Sequence, residues 1–258
     1  MDWIPVSKTN HATAALNRNI GYSFARYYSL INVSLFDLPN CVKFLPIVFT
    51  REEGTVKFAA VSGLNPKENL FVNSSGAWTG PYVPEILRSY PFRLAENSEN
   101  QKTLVVLNDQ TILVNRDEGE PLFNEDGSES ELLKQKVSLL MEGAKSALHI
   151  AKACSLIDDL GLLDAWEFEF LKGGKKVRIE GLFRINQERL NEIPDEKFLE
   201  LRKSVAFNVI YAHLYSLGNA ANLVGLYTAE HHGSGHLAAL GQTIFQSDQG
   251  MELNFNFD

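Results

Sequence analysis

The chain has 258 residues, 45% of them hydrophobic and 22% charged, which is enough apolar material for one large core or two small ones that share an interface. A net charge of -8 repels phosphate backbones and anionic bilayers, so general nucleic-acid binding is excluded as an expectation. No run reaches the roughly 18 apolar residues of a spanning helix, so no membrane span is expected.

The start, MDWIPVSKTNHATAALNRN, lacks a basic segment followed by an apolar one. That pattern implies cytoplasmic synthesis and residence, with a signal-independent route to the cell surface as the alternative. Residues 20–32, IGYSFARYYSLI, read as a strand, followed by a short helix from about Leu35 to Phe44. PIVFT and VKFAAVSG, separated by REEG, predict a hairpin. NLFVNSSGAW predicts a short strand and a Ser/Gly loop.

The stretch WTGPYVPEILRSYPFRLAE, residues 78–96, places Trp78, Tyr82, Tyr90 and Phe92 beside Arg88 and Arg93, with three prolines between them. Two helical turns are expected from Pro84, ended by Pro91. Aromatic rings offer apolar faces with polar handles, and a guanidinium can stack or grip a carboxylate. Proline restricts the unfolded chain, so a preformed surface is less costly to order. Trp78, Tyr82, Arg88, Tyr90 and Phe92 are therefore the candidate ligand wall, and a plain corner of the core is the competing reading.

FRLA and TLVVLN follow as strands. The acidic run 117–131 holds seven carboxylates without EF-hand spacing and reads as a solvated turn before a helix. That helix is expected from about Glu129 to Asp158, with Leu133, Val137, Leu140, Ala144, Ala147, Ala151 and Cys154 as its apolar face and Gly161 as its terminator. AWEFEFLKGGKKVRIEGLFRI predicts a hairpin turning at Gly173-Gly174. A short helix in NQERLNEIP precedes a second long one, from about Asp195 to Leu226, with Phe207, Ile210, Leu214, Leu217 and Ala221 as its stripe. The tail MELNFNFD alternates Met251, Leu253, Phe255 and Phe257 and reads as a terminal strand.

The order of elements predicts an α+β fold, with antiparallel strands mainly in the N-terminal half and a later hairpin, packed on two long helices. Residues 1–258 read as a single domain, with a possible subdivision near 116–130. Cys41 and Cys154 lie among apolar neighbours and read as buried free thiols. His213 and Ser216, one helical turn apart, read as a buried hydrogen-bonded pair rather than an acid–base couple. His231, His232 and His236 are weak metal candidates in a glycine-broken segment that lacks the HExxH spacing. No Walker A, GxGxxG or CxxC signature is present, and no cofactor is expected.

FLPIVFT, NLFVNSSGAWTGPYVPEILRSYPFRL, PLFNEDGSESELL, EGLFRINQERLNEI and YAHLYSLGNAANL occur in that order. Taken together they resemble the bacterial SapC family over roughly residues 11–225. The most specific parts are Tyr82-x-Pro84 with Arg88-x-Tyr90-Pro91-Phe92, and Leu122-Phe123 with Gly127. The resemblance implies an association with bacterial surface layers, and companions among outer-membrane uptake receptors and flavin-dependent halogenase-like proteins. It supplies no catalytic residues. The expectation is a non-enzymatic accessory or binding protein whose partner is a protein or small ligand at the cell surface or uptake system. A metal-assisted enzyme acting on a peptide or small aromatic compound, and a structural surface-layer subunit, are the alternatives.

Overall fold

The computed structural model describes residues 2–96 and 102–232. The predicted terminal strand and His236 lie outside the described residues, as do the side chains of His231 and His232.

The architecture is α+β, and every pairing between neighbouring strands is antiparallel. The largest sheet has five strands in the order Leu163–Ala165, Leu182–Ile185, Ile47–Glu52, Thr55–Val61 and Leu30–Asn32. Its central hairpin turns at Glu53 and Gly54, both with positive φ, as a two-residue connection matched to strand twist requires. A three-stranded sheet orders Asp2–Pro5, Lys102–Asn108 and Phe92–Glu96. A second one orders Leu113–Asn115, Ala14–Asn17 and Gly119–Pro121. The hairpin Phe168–Lys172 with Lys175–Ile179 turns at Gly173 and Gly174, again both at positive φ, as the sequence predicts.

The long helix runs Glu131–Asp159. Ser130 caps its start by accepting from the Leu133 N–H. Gly161, at φ +65, closes its end: its N–H reaches Asp158 O and the Leu162 N–H reaches Ile157 O, so two orphan carbonyls are satisfied. Apart from Cys154, the expected apolar face is correct only in the first half. Leu133 and Leu140 are buried there, but Ala147 and Ala151 are exposed, and the second half buries Ser146, Ile150, Ala153, Cys154 and Ile157. At about 100° per residue the buried face turns by roughly a third of the circumference along the helix. The cause is that the two halves serve different cores. Leu133 and Leu140 join Leu16, Phe92, Val106 and Leu122, whereas Ile150, Cys154 and Ile157 join the main core under the five-stranded sheet.

The second long helix is three helices: Asp195–Arg202, Ala206–Ser216 and Asn219–His232. The Ser204 hydroxyl donates to Leu201 O and accepts from the Ala206 N–H, making the first break, and Gly218 lies at the second. The expected stripe is displaced by about one residue, because the buried face of Ala206–Ser216 contains His213 and Ser216 as well as Val209 and Ile210. Residues 20–32 are not one strand. Ser23–Ala25 is a 3-10 turn that buries Ala25 and leaves Tyr27 and Tyr28 outside, and only Leu30–Asn32 pairs with the sheet. The helix expected at 35–44 is the single turn Leu38–Cys41. Instead of a strand, residues 69–78 form turns with one bridge, Val72 to Trp78. Cys41 and Cys154 are both buried and free. Among the described residues no helix is long and apolar enough to cross a membrane.

Candidate functional site

The segment 78–92 folds as a corner with two faces, and a buried carboxylate holds the inner one. Asp37 is wholly buried. Its Oδ2 accepts from the Ser34 N–H at 2.9 Å. Its Oδ1 accepts from the Tyr82 hydroxyl at 2.8 Å and from the Glu85 N–H at 2.9 Å. Three donors satisfy a charge that would otherwise be prohibitive in the core. The Ser34 hydroxyl in turn donates to Glu85 Oε2 at 2.5 Å. Burial is the main cause that raises the Glu85 carboxyl above its ordinary range. Burial, then the bond to Asp37, push the Tyr82 phenol up to about 12.

Arg88 closes this inner face rather than pointing into space. Its Nη2 donates to the Tyr82 hydroxyl at 3.0 Å and its Nε to Val83 O at 3.1 Å, and the guanidinium lies 5.4 Å from the centre of the Tyr82 ring. Trp78 donates from Nε1 to Tyr82 O at 2.9 Å and stacks on Phe71 with centroids 5.3 Å apart. Trp78 and Tyr82 thus pack against the main core.

Tyr90 and Phe92 turn the other way. Tyr90 stacks on Phe24 at 3.7 Å with the rings nearly parallel, and Phe92 is buried among the second core. The single helical turn Glu85–Arg88 separates the two faces. Beyond it opens a cleft of about 360 Å³, walled by Trp3, Phe24, Tyr28, Leu30, Ile86 and Tyr90, with Phe92 also on its lining. Tyr28 and Ile86 are 46% and 48% exposed, so part of the apolar lining of this cleft faces solvent. A second cleft of about 170 Å³ adjoins it at Phe24, Leu87 and Tyr90, and carries Arg18, Arg88, Glu120 and Lys136. A third, of about 300 Å³, meets the first at Asn32, Ile86 and Ser89. Its walls are Asp37, Glu85 and Arg93 on one side and Leu139–Ala147 of the long helix on the other.

The five candidate residues therefore do not form one wall. Arg88, Tyr90 and Phe92 border the clefts, while Trp78 and Tyr82 buttress them from behind.

A family model described as SapC matches residues 6–223, most of the chain, including the whole corner and every cleft-lining residue named above except Trp3. The chain belongs to the SapC family. No curated protein and no solved structure matches it. In this SapC chain the histidine flagged by the sequence is structural. His213 is wholly buried, donates from Nδ1 to Ile47 O at 2.7 Å and accepts at Nε2 from the Ile185 N–H at 3.2 Å. Ser216 accepts from the Ile47 N–H at 2.8 Å. Both side chains thus bind the strand end where the Leu182–Ile185 and Ile47–Glu52 ladder runs out. With both ring nitrogens engaged, His213 has none left for a substrate. Among the described residues no three His, Cys, Asp or Glu side chains gather as a metal-ligand set.

Trp3, Arg18, Phe24, Asp37 and Lys136 are among the site residues that sequence reasoning missed. A signal existed only for Asp37: Ser34-x-x-Asp37 is a capping-box pattern, and the two residues do exchange side-chain and backbone bonds.

Proposed function

We propose that this SapC protein is a non-enzymatic accessory or binding protein and that its ligand lies in the aromatic cleft bordered by Tyr90. The observation that carries the reading is the cleft itself. It is of small-molecule size, lined by aromatic and aliphatic groups, and built on a corner whose polar atoms are already satisfied by one another. Such a rigid wall suits recognition, since little ordering cost remains at the moment of binding. The association with bacterial surface layers and uptake receptors that the resemblance implies supports the partner class we propose, a protein or small ligand of the cell surface or uptake system.

Native mass spectrometry of untagged protein taken from its own host tests the reading. The expected result is a mass above that of the denatured chain, lost in Tyr90→Ala. A native mass equal to the chain mass, with no partner retained on gentle isolation, overturns it.

A further inference from the structure

We propose that the aromatic cleft and the cationic cleft beside it form one site for a small aromatic carboxylate, the ring lying in the first and the carboxylate at Lys136 and Arg18 in the second. The inference rests on the binding-protein reading above and names the ligand class. The two clefts share Phe24, Leu87 and Tyr90, so an apolar body in one lies next to the polar end of the other. About 360 Å³ accommodates a substituted aromatic ring, given that an engineered cavity of roughly 150 Å³ takes benzene.

Charge selects the polar end. Arg88 turns its guanidinium to Tyr82, Val83 and Glu85, whose carboxylate lies 3.8 Å from Nη2, so its charge is matched by Glu85 and the second cleft is left with Lys136 and Arg18. The Arg88 carbonyl and the Tyr90 carbonyl both accept from Lys136 Nζ, which fixes the ammonium at the junction of the clefts with one N–H to spare. Burial lowers the Lys136 ammonium below its ordinary range, the mark of a cation short of water. Arg18 stands exposed on the same rim, just past the strand Ala14–Asn17. Glu120 is the opposing carboxylate. Two cations against one anion leave a single positive charge, which a monoanion neutralises, in a chain that is otherwise strongly acidic.

The test is a calorimetric titration of the full chain with 3-phenylpropionate and, separately, with its uncharged amide. The acid is expected to bind about tenfold more tightly than the amide, a preference of the size of one charge-assisted contact. That preference disappears in Lys136→Met, shrinks several-fold in Arg18→Gln, and weakens with added salt. Tyr90→Ala weakens acid and amide alike. Arg18 is exposed, so its variant keeps the test valid if Lys136→Met fails to fold. Equal binding of acid and amide, or a preference that survives both charge variants, overturns the carboxylate assignment and leaves the binding-protein reading standing. Binding of neither compound overturns the assignment too. It overturns the broader reading as well only if protein from the host also carries no added mass.

Discussion

His213 shows how a histidine one helical turn from a serine can be purely architectural. Its ring spans a gap between two strands that their own backbones do not close. Burial drives its pKa down to about 4, from an ordinary 6.5. The folded state thus keeps the ring neutral while the unfolded chain takes up a proton below about pH 6.5. Stability should fall as pH drops from 6.5 towards 4 and level off below, for a total of about 3 kcal/mol. Denaturant melts at stepped pH check this, and His213→Gln should remove that part of the pH dependence. His213→Ala should cost about 3–5 kcal/mol, since it orphans a carbonyl and an N–H as well as leaving a void. Tyr82→Phe is milder. It removes one of three donors to Asp37 and should cost about 1–2 kcal/mol in the same melts, leaving the two N–H donors in place.

At the scale of elements, the sequence was legible where the chain states its own geometry. Two-residue turns with glycine and a Gly161 stop define the hairpins and the end of the long helix to within a residue or two. It was illegible where a neighbour decides. The alternation in residues 20–32 resembles a strand, but Tyr22 N–H is taken by Gly76 O, and Tyr90 supplies a stacking partner for Phe24. The stripe of the later helix was misread by one position because polar residues were left out of it, whereas His213 and Ser216 lie on its buried face, bonded to Ile47 and, for His213, to Ile185. The cleft was half legible: Tyr90 and Phe92 lie within the stretch that stood out, but Trp3, Phe24 and Lys136 reach it from elements 40 or more positions away in sequence. Gly143 gives a test at this scale. It is helical, and a Cβ there would have no neighbour within 4 Å. Gly143→Ala should therefore raise stability by about 0.5–1 kcal/mol, read by thermal melts, through helix propensity alone.

At the scale of the molecule, chain order and core membership do not coincide. The second core gathers the first strands, Phe92, apolar residues between Val106 and Phe123 and the front of the long helix, while the main core gathers apolar residues between Val33 and Phe71 and others from Ile150 to Tyr227. Cys41 and Cys154 both lie in the main core, and burial raises both thiols, Cys154 to about 12. Trp3 packs against the second core. Alkylation of the thiols should be negligible in the native state and should follow the same denaturant midpoint as the fluorescence change of a Trp3-only variant. Separate midpoints would show that the cores melt apart. The long helix, some 44 Å by its residue count, is what ties them. Its third-cleft contacts, Leu139–Ala147, fall where its buried face passes from one core to the other. In mechanical terms the helix is a torsion bar clamped at both ends, and that cleft opens onto its midpoint, so a load applied there is shared by both clamps at once.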